Sequence, residues 1–313
     1  MLKDSRIAMS DTSKHSTALQ LQAEPAKVIA KKAKVTFSIF SSIYVLGTLG
    51  GVLICLLEAA GRVRFYGYGR LPRWEGKLIL AANHPGWLDI VLIPLLYFPW
   101  WFRELVQKIG ELVIAPFRML RREPVRPAFA EDFKHIPVST ADEHNFRHFK
   151  WVLEGWNIFV NRESERNEER ASALKRAIEI LENNGRVVIF PGGGRDFKAQ
   201  YNGDGIYDPE TGNLIMRRPK PGIGFLVKQT GATIVPIRID GTDKVLPNKP
   251  NKKLPRPLRF ERYFLRIWHP VSIRIGEPLR FPAGTDEDTV LEAYIQAQLK
   301  LYADSRKSNH HQT

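Results

Sequence analysis

LILAANHPGWLDIVLI, residues 78–93, decides how the rest of the chain is read. Residues 78–82 are an apolar run of the length of a buried strand, and 88–93 open a second apolar run that continues as DIVLIPLLYFPWWFRELV (89–106), broken by Pro94 and Pro99. Between the runs stand Asn83, His84 and a Pro85-Gly86 turn signal. Strand, turn and helix in that order predict a βα junction, the repeating unit of α/β folds. The junction carries two titratable groups, His84 and, five residues on, Asp89.

Outward from this junction the pattern repeats. RVRFYGYGRLPRWEGK (62–77) reads as a strand and turn, and WNIFVN (156–161) as another strand. NEERASALKRAIEILENNGR (167–186) places Ala171, Leu174, Ala177, Ile178 and Leu181 at helical spacing, with Gly185 as its stop. VVIFPGGG (187–194) is a buried strand running into a glycine loop, and YNGDGIYDPETGN (201–213) reads as a loop. A short helix at PGIGFLVKQTG (221–231), a strand at ATIVPIRIDGT (232–242), two strands in YFLRIWHPVSIRIGEPL (263–279) and an amphipathic helix at EDTVLEAYIQAQLKLYA (287–303) complete the chain. Residues 121–150 read as an insertion or cap. Strands alternating with helices predict an α/β fold with a mixed, largely parallel sheet flanked by helices.

With 313 residues, 43% of them hydrophobic, the chain buries a substantial core. Its formal charge of +14 favours an anionic partner: nucleic acid, an acidic lipid surface or a phosphorylated substrate. The basic, Pro-rich stretch KPNKKLPRPLRFER (249–262) reads either as a surface for such a partner or as a solvated loop. The single cysteine, Cys55, excludes an intrachain disulfide and a cysteine metal cluster. Residues 35–57 carry no charge and are long enough for a bilayer span of roughly 20 residues, though serines, threonines and glycines interrupt them. A transmembrane helix, an interfacial or re-entrant anchor and a buried helix are all compatible with this segment. The expected organisation is a flexible tail (1–33), a membrane-anchor helix (34–60) and a catalytic or binding domain (61–313).

In one continuous helix, positions five apart diverge by about 140°. A Pro-Gly turn ahead of the helix instead lets Asp89 fold back on one imidazole nitrogen of His84 and leaves the other for a substrate proton, a base with its orienter. A hydrogen-bonded core histidine beside a helix-capping aspartate fits the same spacing. Arg162 and Arg195 follow two strand candidates, and arginine suits bidentate phosphate binding. Gly192, Gly193 and Gly194 allow close backbone approach and can present amides to an anion. Pro236 within a strand removes a ladder donor and predicts an edge or a bulge. No zinc spacing, Walker loop, complete dinucleotide fingerprint or Gly-x-Ser-x-Gly elbow is present, and neither metal nor cofactor is expected.

The ordered blocks NHPGWLD (83–89), GWNIFVNR (155–162), FPGGGR (190–195) and TIVPI (233–237) resemble those of the glycerolipid acyltransferases, over roughly residues 76–245. The resemblance implies transfer of a fatty acyl group from an acyl thioester, carried on coenzyme A or acyl carrier protein, to a lipid hydroxyl. It implies His84 as general base held by Asp89, Arg162 on an acceptor phosphate, Gly192, Gly193 and Arg195 shaping the acceptor site, and Pro236 on the donor side. It further implies a membrane-associated enzyme at an anionic lipid surface, with its catalytic domain on the cytoplasmic side, and no nucleic-acid partner. One block departs from the family pattern Phe-Pro-Glu-Gly-Thr-Arg: here Gly192 and Gly194 replace the glutamate and threonine, so the acceptor is a phosphorylated lysolipid or a neutral lipid. Asp196 is a candidate substitute for the lost acid. A membrane-tethered binder of anionic lipid and a hydrolase using the same histidine on water are the competing classes.

Overall fold

The computed structural model describes residues 47–72, 76–98, 120–121, 137–142, 157–160, 167–247, 266 and 268–310. The expected tail, Arg162, and the basic stretch 249–262 lie outside the described residues. The nine described strands are β1 (Val63–Tyr66), β2 (Leu78–Ala82), β3 (Val138–Asp142), β4 (Asn157–Val160), β5 (Arg186–Ile189), β6 (Gly205–Tyr207), β7 (Leu214–Arg217), β8 (Thr233–Asp240) and β9 (Val271–Ile275). Seven of them form one sheet in the order β1-β9-β8-β2-β5-β3-β4, and β6 pairs with β7 as a separate antiparallel hairpin. Every pair in the large sheet is parallel except β8 with β9. The sheet is therefore mixed and largely parallel.

Strand β2 lies at its centre because it has no polar face. Leu78, Leu80 and Ala82 point into one apolar cluster while Ile79 and Ala81 point into the other, the continuous apolar run typical of parallel strands covered on both sides. The first cluster is closed by the helices α1 (Gly47–Ala59) and α2 (Asp89–Leu95), through Ile54, Ile90 and Ile93. The second is closed by α3 (Asn167–Glu182), α4 (Gly222–Thr230) and α5 (Glu287–His310), through Leu181, Leu226 and Tyr294. Of the segment expected to anchor the chain, 34–46 lie outside the described residues. The remainder is α1, 13 residues long. It seats Ile54 in the core and leaves Leu49, Val52, Leu53 and Leu56 exposed. No helix among the described residues is long and apolar enough to cross a membrane.

Three local expectations are corrected. Residues 201–213 do not form a plain loop: they contain β6 and lead into β7, and the turn between is clasped by Asp208, whose carboxylate accepts bonds from Thr211, from the Glu210 amide, and from Tyr302 and Arg306 of α5. The insertion expected at 121–150 supplies β3, an inner strand of the sheet. Of the two strands expected in 263–279, the second is β9, followed by a single bridge from Leu279 to Ile234, while the first lies largely outside the described residues. Helix α3 ends at Glu182, and Asn184 beyond it, not Gly185, takes the left-handed conformation (φ 58°). Gly185 follows because its amide bonds the Ile180 carbonyl so closely that a Cβ would lie 2.6 Å from the Ile180 side chain.

Pro236 sits in β8, an inner strand, where a missing amide would interrupt the ladder. The interruption falls at an irregularity: Pro236 O accepts from Gly276 N (2.9 Å) while Ile234 pairs with Leu279, so two steps on β8 face three on the other chain. The proline marks a bulge, not an edge. Pro94 poses a related problem inside α2, since it leaves the Ile90 carbonyl without its helical donor. Ser139 of β3, itself buried, donates its hydroxyl to that carbonyl (3.2 Å). Ser139→Ala should therefore leave a buried acceptor unpaired and lower the unfolding free energy by about 1–3 kcal/mol, read as a shift of the urea midpoint with unchanged slope.

Candidate active site

Strands β8, β2 and β5 are neighbours running in one direction, so their carboxyl ends open onto one crevice, the usual place for a ligand in an open α/β sheet. At the end of β2 the Asn83 side chain replaces a ladder residue. Its amide donates to Ile239 O (2.9 Å) and its oxygen accepts from Ile239 N (2.7 Å), tying the strand end to β8. His84 emerges next and is nearly buried, with its ring stacked on Phe190 at 4.2 Å between centroids.

The Pro-Gly turn brings Asp89 back to the histidine: His84 Nδ1 lies 2.8 Å from Asp89 Oδ2. The same oxygen accepts from Gly86 N (2.8 Å), and Oδ1 accepts from the Thr242 hydroxyl (2.6 Å), which stands just beyond β8. Asp89 is completely buried. A carboxylate that accepts this bond pairs with the imidazole tautomer carrying its proton on Nδ1 and its lone pair on Nε2. Gly86 is required by space. A Cβ there would lie 2.7 Å from Thr242 Oγ1 and 2.8 Å from the Thr242 carbonyl carbon.

The loop after β5 supplies the facing wall. Gly193 is left-handed (φ 68°), and its amide donates to Phe190 O (2.8 Å), so it is committed to the turn instead of to an anion. Gly192 packs against Arg217 of β7, where a Cβ would lie 2.9 Å from the Arg217 Cβ. The Arg195 guanidinium lies over Trp87, at 4.1 Å, and near Phe197, at 5.0 Å, which brings this arginine beside the histidine turn. Pro236 is buried within the sheet opposite Ala81, its ring against Gly276, away from the strand ends.

Asp196 was a candidate for the acid missing from the glycine loop, yet its carboxylate faces the main chain. Oδ2 accepts from His84 N (2.9 Å) and Oδ1 from Arg217 N (3.1 Å), while its own amide donates to His84 O (2.8 Å). Burial pushes its pKa up to about 6, opposed by the Arg217 amide, by His84 and by the His84 amide.

A cavity of about 570 Å³ lies beside this wall. Leu174, Ala177, Ile223 and Leu226 form its apolar side, and Lys198, Arg217 and Lys220 its basic side. Arg217 pairs with Asp204 at 2.7 Å, whereas no ion pair with a described residue engages the Lys198 or Lys220 ammonium. Phe190 both lines this cavity and stacks on His84. Among the described residues no group of three or more His, Cys, Asp or Glu side chains is placed to hold a metal ion.

Sequence reasoning singled out His84, Asp89, Gly192, Gly193 and Arg195, which the structure gathers at one crevice. It missed Thr242, Lys198 and Lys220. A threonine after the Asp-Gly end of a strand was the only signal for Thr242, and the 153 positions separating it from Asp89 hide the bond.

Comparison with known proteins gives a match of the family model "Acyltransferase" to residues 62–240. No curated protein matches the chain by sequence. Among solved structures, the 1-acyl-sn-glycerophosphate (LPA) acyltransferase PlsC from Thermotoga maritima is similar at 15% identity and a TM-score of 0.43, over 87% of this chain and 95% of that one.

The raised pKa of Asp196 stabilises the fold on the acid side. A carboxyl that holds its proton more tightly when folded adds stability that is complete below about pH 4 and is lost as pH rises through about 6. Relative to Asp196→Asn, which stays neutral, the wild type should gain on the order of 2 kcal/mol between pH 7 and pH 4, measured by urea unfolding of both proteins across that range.

Proposed function

The chain belongs to the acyltransferase family, and we propose that it transfers a fatty acyl group from an acyl thioester to a hydroxyl of a lysophospholipid or related glycerolipid. The observation carrying this reading is the 2.8 Å contact of His84 Nδ1 with the buried Asp89 carboxylate. With Nδ1 so occupied, Nε2 takes the proton of the acceptor hydroxyl. The hydroxyl oxygen attacks the thioester carbonyl, the C–S bond breaks as the ester forms, and the imidazolium returns the proton to the departing thiolate. Asp89 keeps the tautomer and stabilises the transient charge. Its bonds to Gly86 and Thr242 keep it from turning away.

The cavity beside Phe190 suits an amphiphile, with an apolar side for a chain and two ammonium groups, unpaired among the described residues, for an acidic head. This supports a phosphorylated acceptor despite the loss of glutamate and threonine from the third block. The exposed Leu49, Val52, Leu53 and Leu56 of α1 support attachment at a lipid surface.

His84→Ala should lower turnover about 10²–10⁴-fold with little change in KM, measured with labelled acyl thioester and a panel of lysolipids identified by product mass. Full turnover in the folded variant would falsify the base assignment, and free fatty acid as the main wild-type product in the presence of acceptor would mark a hydrolase. Removing both ammonium groups, as Lys198→Ala with Lys220→Ala, should raise the apparent KM for phosphorylated acceptors about tenfold, as expected for one to two lost charge-assisted bonds. Neutral acceptors should be unaffected. An equal KM for both acceptor types before and after substitution would instead favour a neutral acceptor.

A further inference from the structure

Past Ala82 the β2 ladder ends, and both main-chain polar groups of His84 need partners that the sheet no longer provides. One residue supplies both: Asp196 takes the His84 amide on its carboxylate (2.9 Å) and gives its own amide to the His84 carbonyl (2.8 Å). Its second oxygen holds Arg217 N (3.1 Å), the last residue of β7, whose side chain lines the cavity. Asp196 is buried, so these three bonds form away from competing water.

We infer that Asp196 is a positioning residue that sets the main-chain orientation of His84 and holds the base in register with the cavity wall carried by β7. This rests on the reading of His84 as the base. The Asp89 contact fixes the ring about its own nitrogen, but where the ring stands depends on the backbone beneath it, and that backbone is held by Asp196 on both sides. With both carboxylate oxygens accepting main-chain amides, Asp196 orients the site instead of meeting the acceptor as the family's missing glutamate would. Loss of the clamp lets the base drift relative to the acceptor oxygen, and a displacement of about 1 Å is enough to cost roughly 10²-fold in rate.

The test is steady-state kinetics of Asp196→Ala in the full chain, expressed per folded molecule after thermal unfolding and circular dichroism have fixed the folded fraction. Asp196→Asn, which retains the volume and one acceptor oxygen, serves the same test where the Ala variant does not fold. The expected result is kcat per folded molecule lowered at least tenfold with KM for acceptor and donor within threefold of wild type; loss of folded protein alone would leave kcat per folded molecule unchanged. A kcat within threefold of wild type, or a loss carried by KM instead, overturns the inference. His84→Ala assayed in parallel separates the two levels: if it retains turnover, the base assignment itself has failed, whereas an inactive His84→Ala beside a fully active Asp196→Ala rejects the positioning role alone.

Discussion

The site depends on the burial of one carboxylate. Asp89 has no exposed surface, and a carboxylate removed from water costs several kcal/mol unless its lone pairs are met. Three donors from separate places meet them: the His84 ring, the Gly86 amide and the Thr242 hydroxyl. Each imposes a local condition. The histidine must stand at the end of β2, the turn must expose the amide of residue 86 and leave no Cβ there, and β8 must end where its following threonine can reach across.

Those conditions explain why the sheet is arranged as it is around β2. A fully apolar strand with β8 and β5 as parallel neighbours brings three carboxyl ends together, so residues far apart in sequence converge without long loops. The side chains of Asn83 and Asp196 extend this alignment past the strand ends, the first joining the end of β2 to β8 and the second joining His84 to β7. The reversed strands β9 and β1 lie on the β8 side of the sheet and leave the β8-β2-β5 ends parallel. The bulge lies in the segment after β9 that faces Pro236, and Pro236 itself pairs with Ala81, short of the strand end.

The third block illustrates how a lost functional group changes a site without dissolving it. With glycine at 192, β7 packs against the loop where a side chain would otherwise stand, and Arg217 comes to the cavity. The hairpin carrying it is fastened to α5 through Asp208. The basic character of this wall then comes from Lys198, Arg217 and Lys220, residues outside the family blocks.

Local pattern was sufficient for much of the fold. The apolar run 78–82, the helical spacing in 167–182 and the glycine loop at 192–194 carry their structural meaning in a few adjacent residues, and so does the Pro-Gly turn that joins His84 to Asp89. What adjacent residues do not encode is which strand lies beside which. The strand at 138–142 was hidden in a polar, proline-containing stretch and is specified by pairing with β5 and β4, and the hairpin of β6 and β7 is held by a clasp to a helix about 100 residues away. The sequence by itself therefore determined the α/β class, the family and the contact of His84 with Asp89, because each rests on short-range spacing. Only the tertiary structure decided that Thr242 completes the shell of Asp89, that Asp196 grips the His84 backbone and that two lysines line the cavity, because those contacts form when sheet order brings distant strand ends together.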